Sequence, residues 1–357
     1  MSNPTRVGVI GAGAIAMYGH IPGIKRHPQG SVVAVCDTNK ERAEALASSQ
    51  SVAKVYTDWR ELVKDPDIDA VTIALPNALH AEVAIAALKA GKHVLSEKPL
   101  AMTVAQGEEM VATAEKEGRI LAVNMTNRPR GEFQYMKAKI AEGRIGKVSY
   151  ATGRMIRRAG IPGFGSWFTR KELAGGGALL DIGVHMLDAV LYMLGNPKIS
   201  ALRGEVQAVH GPQRRGLGGW GIDRVMDGTF DVDDLASLHL RLADGGLVTI
   251  EVTWAIYGQN EERVQITGDQ GGFDFFPSLY GTDKPLRYYS DDNGSPIETI
   301  PTLPTVPDGA GNVGYKRFID AIQGKGSVVA SGAEGLAILR LLDATYRSAA
   351  EKREIAL

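Results

Sequence analysis

The chain has 357 residues, with 40 lysines and arginines against 41 aspartates and glutamates and a formal net charge of −1. That is long enough for two domains with real cores, and it gives no electrostatic reason to expect nucleic acid or an anionic membrane as a partner. The single cysteine, Cys36, excludes an internal disulfide and any site built from several thiolates, and no run approaches the ~18 apolar residues of a membrane span. Arg6 followed by Val7 to Met17 has the outline of a signal peptide, but Gly8, Gly11 and Gly13 interrupt it too early, so the expectation is a cytoplasmic protein.

In chain order, residues 6–10 read as a buried strand that leads directly into Gly11-Ala12-Gly13-Ala14-Ile15-Ala16 and a helical stretch toward Arg26. This is a G-x-G-x-x-G/A pattern with Ala16 in the third place. Gly11 suits a tight turn, Gly13 lets backbone approach a pyrophosphate, and Ala14 and Ile15 open a helix whose free N–H groups face phosphate. A second strand, 32–35, is followed by Asp37, about 20 residues past the glycines, where a carboxylate would accept hydrogen bonds from an adenosine ribose. Asp-Thr-Asn is also good turn chemistry, but strand, glycines, helix, strand and acid together favour the dinucleotide reading. Asp37 would repel a 2′-phosphate and so favours NAD, while Lys40 and Arg42 leave NADP open.

Alternation continues with a helix over 41–48, a strand at 54–56 and a helix opened by Asp58 with Glu61 in a capping-box pattern. A strand over 70–75 ends at Pro76-Asn77, and a helix over 78–90 stops at Gly91. The strand 93–95 runs into Glu97-Lys98-Pro99, a helix capped by Thr103 with Gln106 follows, and a strand at 120–123 completes the sheet. The pattern predicts an α/β domain, residues 1–125, with a doubly wound parallel sheet of the Rossmann type. Pro99 ends a central strand, so Lys98 stands either where a sheet hands a side chain to a ligand or in an exposed turn.

Residues 126–357 read as a second, α+β domain on a mostly antiparallel sheet. A helix carries Phe133, Met136 and Ile140, and strands are expected at 147–154, 199–210, 232–242, 247–256 and 263–267, with Asp244-Gly245-Gly246 as a hairpin turn. Residues 211–227 are expected to be a long loop and 301–311 an irregular link, while Ile338, Leu341, Leu342, Thr345, Tyr346 and Ala349 form a helical stripe suited to core packing.

Between Leu173 and Gly195 everything is apolar except Asp181, His185, Asp188 and Tyr192, spaced four, three and four. On a helix these form one line, which must meet internal partners or a cleft. An Asp one turn before a His can hold one ring nitrogen and leave the other to move a proton. Three other readings stay open: Asp181 as a helix cap, His185 as a satisfied core histidine, and both as ligands of a metal whose third ligand the sequence does not advertise.

Together, Gly11-Ala-Gly13, Glu97-Lys98-Pro99 and Gly175-Gly-Gly-Ala-Leu-Leu-Asp181-Ile-Gly-Val-His185 resemble the Gfo/Idh/MocA family of NAD(P)-dependent oxidoreductases over nearly the whole chain. The resemblance implies that Lys98, Asp181 and His185 form a catalytic group in a cleft between a Rossmann domain and a domain with a large open sheet, with no metal. It implies that Leu75, Pro76, Asn77, His80, Glu97, Lys98 and Trp167 line the cofactor site and that substrates are sugars, inositols or related polyols. Family members often carry Trp-Arg before the triple glycine, the Arg reaching the cofactor. Here Trp167-Phe168 stands instead, with Arg170 and Lys171 as substitutes.

In the implied chemistry the His185 imidazole, held by Asp181, takes the hydroxyl proton as hydride leaves for nicotinamide, and the Lys98 ammonium stabilises the alkoxide. Arg154, Arg157 and Arg158 either reach the cleft and meet substrate or line a solvated strand edge. Trp167, Phe168 and Trp220 stack on a sugar or pack in the core. An open sheet would expose apolar surface, so a homodimer or homotetramer is expected. Competing readings are an NAD-retaining glycoside hydrolase that oxidises its sugar transiently and a nucleotide sensor without turnover. Intact Lys98, Asp181 and His185 argue against the sensor.

Overall fold

A computed structural model describes residues 3–219, 224–303, 306 and 309–357. Trp220 lies outside the described residues. The chain divides into two compact units, Met1–Pro129 with Pro307–Leu339, and Arg130–Val306 with Arg340–Leu357.

The first unit is built on six parallel strands, β1 (Thr5–Ile10), β2 (Gly30–Cys36), β3 (Lys54–Tyr56), β4 (Ala70–Ile73), β5 (His93–Ser96) and β6 (Leu121–Val123). Their order is β3-β2-β1-β4-β5-β6, so the sheet reverses direction of progress between β1 and β4. Both faces are covered, which is why Val7, Val9, Val71 and Val94 are fully buried and these strands carry apolar runs without alternation. The helix Val104–Lys116 opens with both bonds of the Thr103/Gln106 capping box. At Asp58 the side chain accepts instead from Arg60 N, so the expected box with Glu61 is replaced by a simple cap of a four-residue helix.

The expected boundary at 125 differs from the observed division in one segment. The helix Ala310–Ile322 belongs to the first unit because Tyr315, Phe318 and Ile319 pack among Val7, Ile21, Ile24 and Val35. Apolar residues at helical spacing mark a buried face without saying which core receives it.

The second unit has nine strands among the described residues: β7 (Val148–Ile156), β8 (Ile199–Gln207), β9 (Leu235–Leu242), β10 (Leu247–Thr253), β11 (Glu261–Gly268), β12 (Gly271–Phe275), β13 (Leu286–Asp292), β14 (Ser295–Thr299) and β15 (Ile355–Ala356). The order is β14-β13-β12-β11-β7-β10-β9-β8-β15, and all neighbours are antiparallel except β7 and β10. β12, β13 and β14 were not expected, because glycine and charge break their alternation. A Cβ at Gly153 would press on Met186 and Val190, so one face of β7 packs on the helix Val184–Met193. Arg154 points to the other face.

That other face is not the apolar surface expected. Arg154 pairs with Glu251 at 2.6 Å and Glu261 at 3.1 Å, Arg263 with Asp274 at 2.8 Å and Arg287 with Glu298 at 3.0 Å. The stretch Lys171–Met193 is long and apolar enough to cross a membrane by length and composition, which departs from the expectation of no such run, and 83% of its most apolar window is buried within the protein.

Candidate cofactor and acid–base site

In the first unit, β1 ends at Ile10 and Gly11 turns the chain with φ +102°, where a Cβ would collide with the Ala74 carbonyl oxygen. Gly13 differs: a Cβ there would meet no atom within 4 Å. Nothing in the protein demands glycine at 13, and the open space beside it is the approach a pyrophosphate needs. Ile15 and Tyr18, just after this turn, are 44% and 77% exposed. Asp37 follows β2, its Oδ2 accepting from Ala12 N at 2.9 Å and its Oδ1 from Asn39 N at 2.9 Å. The turn role weighed for Asp37 is therefore present in the Asn39 bond, and the Ala12 bond ties the same carboxylate to the glycine turn. These residues fit a dinucleotide.

Beyond the reversal of strand order, Pro76 precedes a short 3-10 turn, Asn77–Leu79, and Asn77 is buried. His80 has no exposed surface. Its Nδ1 lies 2.8 Å from the Pro99 carbonyl and its Nε2 3.0 Å from the Leu75 carbonyl. Burial pushes its pKa down. His80 therefore bridges the ends of two strands and shapes the site from behind. Lys98 follows β5 in a bend and is partly exposed. Beside it, Glu97 Oε1 receives His20 Nε2 at 2.9 Å and Asn124 Nδ2 at 2.8 Å. Asn124 also donates to Tyr315 Oη at 3.0 Å. Burial works to raise the Glu97 carboxyl, but the His20 and Asn124 bonds and the charge of Lys98 prevail and hold it at about 2. Burial also drives the Tyr315 hydroxyl well above its ordinary range.

In the second unit, Gly175 ends a short helix, Lys171–Ala174, in the left-handed region. A Cβ at Gly176 would collide with the Tyr346 hydroxyl, and one at Gly177 with the Asp233 backbone carbonyl. The Asp233 carboxylate then accepts from Gly177 N at 2.8 Å, Leu179 N at 2.9 Å and Tyr346 Oη at 2.7 Å. It is Asp233, rather than Asp181, that caps the long helix. Burial raises the Asp233 pKa against these three donors. The helix begins with a π-type turn, Leu179–Gly183, and continues as Val184–Met193.

Asp181 is buried, and its Oδ2 accepts the indole N–H of the fully buried Trp254 at 2.9 Å. Of residues 178–193 only His185 and Tyr192 are not buried. Tyr192 Oη accepts from Gln134 at 2.8 Å, its carbonyl accepts from Lys137 at 3.0 Å, and the Lys137 ammonium sits 3.6 Å above its ring. The line Asp181, His185, Asp188, Tyr192 is thus divided: Asp181 is fixed by Trp254, Asp188 is buried, Tyr192 braces a neighbouring helix, and His185 is half-buried.

Arg154 lies in the middle strand of the nine, so it reaches neither a strand edge nor a separate anion. Arg157 is half-buried with its side chain over Gly160, and Arg158 is exposed with its N–H bound by Asn260 Oδ1 at 2.7 Å. Trp167 and Phe168 stack on each other with ring centroids 3.7 Å apart. Arg170 is engaged by Glu172, and Lys171 N donates to Asp231 Oδ1 at 2.6 Å. His20, Asn124, Asp233 and Trp254 escaped the sequence reading. His20 and Asn124 had a signal, one just past the glycine turn and the other directly after a strand. Trp254 and Asp233 had none, since nothing local ties them to a helix some fifty or more residues earlier in the chain.

Family models match both parts of the chain: "Oxidoreductase family, NAD-binding Rossmann fold" over residues 5–125 and "GFO/IDH/MocA C-terminal domain" over 133–274. D-glucoside 3-dehydrogenase of Escherichia coli is 34% identical over 98% of this chain and 96% of its own length. Myo-inositol 2-dehydrogenase of Thermotoga maritima is 29% identical over 99% and 98%. A structure of levoglucosan dehydrogenase in complex with NADH and levoglucosan superposes with a TM-score of 0.85 at 28% identity, covering 99% of each chain. The chain therefore belongs to the GFO/IDH/MocA family of NAD-binding oxidoreductases.

Proposed function

We propose that this enzyme oxidises a secondary alcohol of a sugar or polyol with NAD, using Lys98, Asp181 and His185 as its acid–base group. The observation that carries this reading is His185, a partly buried ring on a helix buried over most of its length, one turn after a carboxylate locked by Trp254. Relatives named for glucoside, inositol and levoglucosan substrates support the substrate class. A bound nicotinamide supplies hydride acceptance. The phosphates belong on Gly13 and the helix start at Ala14 and Ile15, the adenosine ribose on Asp37, and the nicotinamide end beside Leu75, Pro76, Asn77 and Glu97. Trp167 borders the cofactor and Arg157 the substrate.

His185 takes the hydroxyl proton at a ring nitrogen while Asp181 stabilises the resulting imidazolium. Lys98 donates a hydrogen bond to the same oxygen as negative charge develops on it. The reading includes a cytoplasmic homodimer or homotetramer assembled on the open second sheet. His185→Ala and Lys98→Ala should each lower kcat by about 1000-fold with NAD binding retained. NADH formation at 340 nm over glucosides, anhydrosugars and inositols measures this, and a variant turning over near the wild-type rate would refute the assignment.

A further inference from the structure

Glu97 stands at the end of β5, Asn124 at the end of β6, and His20 on the helix that follows the glycine turn. A dinucleotide crossing the reversal of strand order with its phosphates at Gly13 carries its nicotinamide over this side of the sheet. Glu97 is built there as a fixed anion. One oxygen takes two N–H donors, Tyr315 holds Asn124 from behind, and Tyr315 is itself seated against Gly19 and Gly23, where a Cβ would strike its hydroxyl and ring. The other oxygen takes no hydrogen bond from the described residues, and the side chain keeps 13% of its surface exposed. The carboxylate is thus at the rim of the site and not sealed in the core.

The charged and titratable groups around it are His20, Lys98 and Tyr315. NAD+ carries a positive pyridinium ring, and NADH carries none. A lysine needed for the substrate oxygen would, alone, repel that ring and favour the reduced cofactor. We propose that the Glu97 carboxylate, held in place by His20 and Asn124, offsets the charge of Lys98 and sets the chain's relative affinity for oxidised over reduced nicotinamide. This rests on the cofactor placement of the preceding section.

The test is the dissociation constant of NAD+ and of NADH, each measured by titration calorimetry without substrate. Glu97→Gln preserves shape and one acceptor while removing the charge, and it should raise the ratio Kd(NAD+)/Kd(NADH) about tenfold. Asn124→Leu removes a donor but keeps the charge, and it should leave that ratio within about twofold of wild type. If Glu97→Gln weakens both nucleotides equally, the electrostatic role is wrong and the cofactor placement stands. If it changes neither affinity, the placement beside Glu97 fails as well. A shift in Asn124→Leu as large as that in Glu97→Gln would assign the effect to packing and overturn the proposal.

Discussion

Two glycine-rich turns open two helices, one in each unit, and both helices begin with a π-type turn, Ala16–His20 and Leu179–Gly183. In the sequence they look like one device used twice. The structure gives them opposite reasons. At Gly13 an added Cβ meets nothing, so no contact with the described residues requires glycine there. At Gly176 and Gly177 it meets Tyr346 and the Asp233 backbone, so these glycines are kept for the protein itself. One turn leaves open space beside its glycine and the other locks a helix.

The strongest way to break this comparison is to add a methyl group to each turn. Gly177→Ala should cost at least about 3 kcal/mol in urea unfolding, because the colliding atoms are backbone and cannot swing aside. Gly13→Val should change stability by less than about 0.5 kcal/mol while weakening NAD at least about tenfold. Equal destabilisation by both would end the distinction. Trp254→Phe tests whether the second helix is locked for chemistry as well as for folding. It strips a buried carboxylate of a donor, at a cost of about 1–3 kcal/mol, and should lower kcat with KM for NAD unchanged.

The two regions should also respond to pH with opposite sign. Glu97 is depressed from 4.5 to about 2, so its stabilisation is complete above the unfolded value and is lost as pH falls through that window. Asp233 is raised above 3.8 by burial, so its contribution is present below the unfolded value and is lost as pH rises through its elevated folded value. Denaturant midpoints of Glu97→Gln should therefore approach wild type toward pH 2. Those of Asp233→Asn should gain on wild type between pH 4 and neutrality. The smallest effect is expected at Arg154→Ala, at most about 1 kcal/mol within one protomer, since Arg154 and Glu251 are both substantially solvated. A shift in sedimentation from oligomer toward monomer in this variant would show that the charged face pairs copies.

The sequence by itself determined the parallel sheet of the first unit, the glycine turn, Asp37 at the second strand end, and the polar positions 181 and 185 on an apolar helix. These are legible because they depend on local rules: period, capping and turn chemistry within one helix or strand. Tertiary structure decided the rest. It showed that Asp181 answers to Trp254, that Asp233 caps the helix, that Ala310–Ile322 returns to the first core, and that Glu97 is the centre of a network drawn from four elements. It also turned the open sheet face from apolar to charged, because the register of neighbouring strands decides which side chains meet across it. Each of these is a meeting of groups far apart in the chain, and periodicity marks a side chain as buried or exposed without naming what it will touch.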